Sequence, residues 1–171
     1  VQEPETHRIK TFVRGGRRPK LIIYVDGSVT GNPGGVVGYG WICPEVDKAG
    51  FGAAFQGGES ATNNVSEWMA VVAALIFVLA HRRADDITIR SDSELLVHQL
   101  NGEWRVKHSN LKPIAAIANM MIEELGSLGV SVTSEWISRE ENRAADHLSR
   151  KAIKSQLKER RQMTLREASD G

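Results

Sequence analysis

Four acidic residues in this 171-residue chain stand where they could do chemistry: Asp26, Glu67, Asp92 and Asp146. Asp26 closes the apolar run Leu21-Ile22-Ile23-Tyr24-Val25, and Asp92 closes Ile87-Thr88-Ile89-Arg90-Ser91. Such β-branched runs read as buried strands, so each would carry a carboxylate to the rim of a sheet. Glu67 falls in the first turns of an apolar segment opened by Thr62-Asn63-Asn64, and Asp146 lies one turn after Asn142. Singly, each has a plain structural role. Asp-Gly is a common turn pair; Glu67 could close a capping box with Asn64; Asp92 could cap a helix from Ser93; Asp146 could sit on an exposed helix face. Together, four converging carboxylates would repel and raise one another's pKa, unless a cation joins them. No His or Cys accompanies them, and an all-oxygen donor set suits Mg²⁺ or Mn²⁺ rather than zinc. Two such ions about 4 Å apart form the clamp used in phosphoryl displacement. The chemistry this implies is metal-assisted cutting of a nucleic-acid backbone.

The elements that must position these acids follow from pattern and punctuation. Residues 20–26 predict a first strand, Asn32-Pro33-Gly34-Gly35 a turn, and Val36 to Pro44 a second strand weakened by Gly38 and Gly40. A hairpin loop over 46–50 leads to a third strand, Phe51 to Gln56, completing an antiparallel meander. Apolar residues at helical spacing predict a helix to His81, with Thr62, Asn63 and Asn64 as cap candidates. Asp86 to Asp92 is the fourth strand, joined through a short helix (Ser93 to Asn101) that suggests a parallel crossover. A helix over 111–125, a strand over 130–137 and a last helix capped by Asn142 and running to about Arg161 complete the order βββ-α-β-α-α-β-α. The expected fold is α/β, a mixed five-stranded sheet with helices on both faces. Trp41, Trp68 and Trp136 fall in these periodic elements and are expected to pack in the core or on the sheet.

Composition is that of an ordinary globular domain, 41% hydrophobic and 25% charged. The lone Cys43 excludes a disulfide framework and a thiolate zinc cage. The longest apolar run, Trp68 to Ala80, is shorter than the ~20 residues that span a bilayer, so an intracellular, cytoplasmic protein is expected. Net charge is only +1, but its distribution is uneven. Arg8, Lys10, Arg14, Arg17, Arg18 and Lys20 have no acid among them, and residues 150–167 carry seven Lys or Arg against Glu159 and Glu167. Binding a phosphate backbone requires local, not total, positive charge. The expected organisation is a disordered basic arm over 1–19, a catalytic domain over 20–155, and a basic C-terminal helix end and tail over 156–171.

Asp26-Gly27-Ser28 with Gly31-Asn32-Pro33-Gly34, then Thr62-Asn63-Asn64-x-x-Glu67, Ser91-Asp92-Ser93 and Glu141-Asn142-x-x-Ala145-Asp146 occur in the order found in type 1 ribonucleases H. Over residues 20–155 the chain resembles that family. The resemblance implies an endonuclease that hydrolyses the RNA strand of RNA/DNA hybrids, leaving 5′-phosphate and 3′-hydroxyl ends, and working as a monomer. It implies two Mg²⁺ ions, with Mn²⁺ as a substitute: Asp26 bridging both, Asp146 completing the site of the ion that activates water, and Glu67 and Asp92 holding the second. It further implies that Asn32, Asn63 and Asn64 lie in the minor groove of the hybrid, Ser28 and Glu67 near RNA 2′-hydroxyls, and Thr62 at a DNA phosphate. Trp104, with Arg105 and Lys107, would wall the DNA strand.

The chain departs from many relatives in two places. Only Gly102 to Asn110 stands where they carry a basic extra helix, and Ser138-Arg139-Glu140-Glu141-Asn142 has no loop histidine. These traits resemble the archaeal-like short form, some members of which also accept double-stranded RNA. Substrate grip is then expected from the arm over 7–20 or from the basic C-terminal end. Rival readings are a hybrid-binding module without cleavage, a strand-transfer or resolvase-type enzyme, and the ribonuclease H domain of a reverse transcriptase.

Overall fold

The computed structural model describes residues 19–55, 57–81 and 84–169, so the basic arm expected over 1–19 lies almost wholly outside the described residues. The elements follow the expected order: β1 (Lys20–Val29), β2 (Val36–Cys43), β3 (Lys48–Phe55), α1 (Asn63–His81), β4 (Asp86–Ser91), α2 (Glu94–Leu100), α3 (Lys112–Ser127), β5 (Ser131–Trp136) and α4 (Arg143–Ser169). The strands form one sheet in the order β3-β2-β1-β4-β5. β1, β2 and β3 are antiparallel, whereas β4 pairs parallel with both β1 and β5. This is the mixed sheet expected from the sequence.

One sheet face is covered by a core in which Ile23, Val25 and Ile89 meet Trp68, Val71 and Leu75 of α1 and Leu125 of α3. At 19 residues, most of them apolar, α1 is by length and composition long enough to cross a membrane, contrary to the expectation from its run length; half of it is buried against this core. The other face carries α4. A Cβ at Gly38 would lie 2.4 Å from the Ser149 carbonyl oxygen, and one at Gly40 would lie 2.6 Å from Leu148 Cβ and 2.7 Å from Ser149 N. These glycines are therefore not weak points of β2. They let the backbone of α4 lie directly on the strand, which brings Ser149 and Asp146 over the sheet.

Three boundaries differ from the sequence reading. β3 starts at Lys48, because a short 3₁₀ turn over Pro44–Val46 with Asp47 in left-handed geometry makes the reversal tighter than the expected loop. β1 runs on to Val29 rather than stopping at Asp26, because Gly27 to Val29 still pair with β2. Its pairing with β4 ends at Tyr24, so Asp26 still emerges where the parallel half of the sheet ends. Finally, α4 continues as helix to Ser169, past the expected end near Arg161, so residues 156–169 are its outer turns.

Candidate active site

All four acids line one cleft of about 520 Å³, although they come from β1, α1, the end of β4 and α4. Two close packings hold them near one another. Gly27, next to Asp26, has no room for a side chain: a Cβ there would lie 2.3 Å from Glu67 N and from Ser66 C. The start of α1 thus rests on β1 at the residue after Asp26. On the opposite face Asp26 is in register with Gly40, where α4 touches the sheet.

Each carboxylate is held by its own donor. Ser149 Oγ donates to Asp26 at 2.7 Å, and Ser93 Oγ donates to Glu67 at 2.6 Å. Asn142 Nδ2 donates to Asp92 Oδ1 at 2.6 Å and to the Val25 carbonyl at 2.9 Å. Arg150 donates to Asp146 Oδ1 through Nε at 3.0 Å, and Arg139 approaches the same oxygen at 3.8 Å. Asn142 was expected as a helix cap. Instead it is buried and ties β1 to Asp92, and its Oδ1 has no partner. Ser149 also escaped the sequence reading, since its role arises only when α4 docks on the sheet; Ser93 stood only as a neighbour of Asp92 in its motif, and Arg150, four residues after Asp146 on the same helix, only as part of the basic C-terminal end. At the start of α1, Thr62 Oγ1 accepts from Val65 N, so the cap is Thr62 rather than either asparagine.

Burial is the main cause of a raised pKa at both inner acids. Asp26 is pushed up to about 6, with Asp92 and Asp146 adding to the rise and the Ser149 hydrogen bond opposing it. Glu67 is pushed up to about 7, opposed by Ser93 and assisted by Asp26 and Asp92. A cluster whose ionised form is this costly has the electrostatics of a cation site. The donor set also fits a hard divalent ion, because every acid in the cleft offers carboxylate oxygen and no His or Cys lines it. Among the described residues no three such side chains already close around one point. A carboxylate has about four lone-pair sites, however, so one protein donor leaves capacity for a metal.

The substrate-side residues fall into a chain of adjoining hollows. Ser28 lines the acidic cleft, with its hydroxyl buried and unpartnered. Asn63 borders this cleft and a second one of about 380 Å³ that also holds Asn32, Thr62, Asn64 and His108. Asn64 and His108 border a third, where Trp104, Arg105 and Lys107 lie. Thr30 and Gly34 fix the turn that carries Asn32: Val36 N donates to Thr30 Oγ1, and Gly34 N to the Ala61 carbonyl just before α1. Trp104 is half exposed and stacks on His98 of α2 at 4.2 Å between centroids. His108, at the junction of two hollows, was not singled out from the sequence. Trp41 and Trp68 are core residues as expected, but Trp136 is not: it is 58% exposed at the sheet edge, and its Nε1 donates to the Asp92 carbonyl. It shares a face with the part-buried Val132 and Ser134 but is the last residue of the edge strand.

A central sheet with acids delivered from four separate segments to one cleft defines the chain as a nuclease-type α/β domain, and comparison with known proteins narrows the class. The reverse transcriptase-like family model matches residues 24–152. The chain is 32% identical over 156 residues to ribonuclease HI of Halobacterium salinarum, covering 90% of this chain and 74% of that protein. It is 33% identical to a ribonuclease H of Francisella philomiragia, covering 80% of this chain and 93% of the relative. Against a bifunctional protein of Mycobacterium tuberculosis it is 33% identical over 135 residues, but spans only 35% of that protein's length. The solved N-terminal RNase H domain of a Mycobacterium tuberculosis protein superposes with a TM-score of 0.69 at 30% identity, covering 82% of this chain and 97% of that one. LC11-RNase H1 in complex with an RNA/DNA hybrid superposes at 0.67 with 31% identity, over 80% and 99% of the two chains. The chain belongs to the ribonuclease H family.

Proposed function

We propose that this chain is an endonuclease that hydrolyses the RNA strand of RNA/DNA hybrids and leaves 5′-phosphate and 3′-hydroxyl ends. The observation that carries this reading is the convergence of Asp26, Glu67, Asp92 and Asp146 on one cleft that continues past Asn63 and Asn64 to Trp104. The hybrid in the LC11-RNase H1 complex supports the choice of substrate.

Asp26, Glu67, Asp92 and Asp146 would hold two Mg²⁺ ions, with Mn²⁺ as a substitute. Bound there, such ions supply Lewis acidity that lowers the pKa of water and stabilises charge on a leaving 3′ oxygen. The protein keeps the ligand oxygens in place: Ser149 and Asn142 donate to the carboxylates of Asp26 and Asp92. Arg150 neutralises Asp146 before any cation arrives. Asn32, Asn63 and Asn64 suit a groove in which 2′-hydroxyls must be distinguished, because an amide both donates and accepts. Ser28 offers its unpartnered hydroxyl beside the acids, Thr62 lies beside the asparagines, and Trp104 with Arg105 and Lys107 would flank the DNA strand.

A panel of end-labelled RNA/DNA, RNA/RNA and DNA/DNA duplexes incubated with Mg²⁺ or Mn²⁺ tests this. Internal cuts confined to RNA opposite DNA are expected. An intact hybrid at all metal concentrations would leave a binding module, and cutting of RNA/RNA as well would extend the substrate range.

A further inference from the structure

We infer that the outer half of α4 is a phosphate-backbone track leading away from the cleft, and that it supplies the grip a basic extra helix provides elsewhere. This inference rests on the proposed nucleic-acid substrate. Arg150, Lys154, Lys158 and Arg161 recur at intervals of four, four and three, the spacing of a single helix face. At about 100° per residue, Glu159, Arg166 and Glu167 point roughly 125° or more away from the centre of that stripe. The stripe starts inside the site: Arg150 and Lys154 line the acidic cleft. From there it runs outward over about 16 Å, a length over which one strand presents roughly five phosphates.

The helix carrying it projects past the core. Ile153 is the last buried residue of α4, and every described residue from Leu157 to Ser169 is exposed. Such a segment buries almost nothing, so packing does not account for the stripe; Arg160 and Arg166 stand off it, on the part of the helix surface that also carries Glu159 and Glu167. The exposed apolar residues Leu157, Met163 and Leu165 do not share a face, since Met163 and Leu165 diverge by about 160°, and they make no stripe for a protein partner. Nucleic-acid backbone, already placed at the cleft by the proposed function, has the complementary charge.

The test compares the full chain with Lys158→Gln/Arg161→Gln and, as an equal-chemistry control on the other side of the helix, Arg166→Gln. Binding of a fluorescein-labelled RNA/DNA hybrid is measured in chelator across a salt series, and cleavage separately with Mg²⁺. The double variant is expected to flatten the slope of log K against log salt by about 1.8, at about 0.9 per phosphate contact, and to weaken binding roughly 10- to 60-fold at 0.1 M salt. Its melting temperature and its kcat at saturating hybrid should match the parent, and Arg166→Gln should bind like the parent. An unchanged slope in the double variant overturns the track, and so does an equal loss in Arg166→Gln, which would reflect net charge alone. A concentration-dependent dimer abolished by the double variant, with hybrid binding intact, would overturn it in favour of a second copy of the chain. A parent that binds the hybrid with this charge dependence but never cuts it would fail the functional reading and leave the track standing.

Discussion

Gly27→Ala is the smallest change that should separate the acids, and its effect can be worked from the packing. The added Cβ would lie 2.3 Å from Glu67 N and Ser66 C and 2.4 Å from Ser66 Oγ. Ordinary carbon contacts are about 3.5–4.0 Å, so β1 and the start of α1 must move apart by more than about 1 Å. Two of the three obstacles are backbone, and no rotamer change relieves them. Overpacking of this kind costs about 1–3 kcal/mol, which for a chain of this size lowers the melting temperature by roughly 2–12 °C. The same displacement moves Glu67 relative to Asp26, and a misplacement of about 1 Å can cost about a hundredfold in rate. Circular-dichroism melting and kcat on a labelled hybrid, at a temperature where the variant is fully folded, measure the two effects separately. Gly126→Ala in α3, where a Cβ meets nothing within 4 Å, is the control and should be neutral or slightly stabilising. A Gly27→Ala protein that melts within about 2 °C of the parent and turns over within threefold would refute the claim that this contact sets the site.

Other expectations follow from the same geometry. With Asp26 and Glu67 raised to about 6 and about 7, the folded protein binds more protons than the unfolded chain between about pH 4 and 7. The metal-free protein should therefore lose stability as pH rises through that window, by up to about 3 kcal/mol per group, and Mg²⁺ should restore it; melting in chelator at pH 5 and pH 8 checks the sign. Asp26→Asn should abolish cleavage yet raise the pH 8 melting temperature in chelator, and a lower melting temperature would contradict the burial argument. Asn142→Ala leaves the Val25 carbonyl without its buried donor and frees Asp92, so about 1–3 kcal/mol of stability should go together with most of the activity; urea unfolding and initial rates measure both. His147→Ala should leave turnover almost unchanged, because that side chain is exposed and does not line the cleft.

The amino-acid sequence by itself determined the strand and helix order and singled out the four acids that line one cleft. Apolar runs with period 2 or 3.6 mark buried elements, and Asp26 and Asp92 each follow such a run. It also carried the motifs around Asn32, Asn63 and Asn64, since turn and cap chemistry is local. What holds the acids was decided only by the tertiary structure. Gly27, Gly38 and Gly40 read as a turn residue and weak strand positions, because nothing in a linear pattern shows that a helix backbone lies within 3 Å of where their side chains would be. Asn142 reads as a cap, and Ser149 as a surface residue of a basic helix, until α4 crosses the sheet and sets them against Val25 and Asp26. Trp136 reads as a packing residue because period 2 says which residues share a face, not how far along the strand that face is covered. Local sequence encodes dihedral preference and amphipathic pattern; contacts between residues more than a hundred positions apart exist only once the layers have docked, and those contacts shape this site.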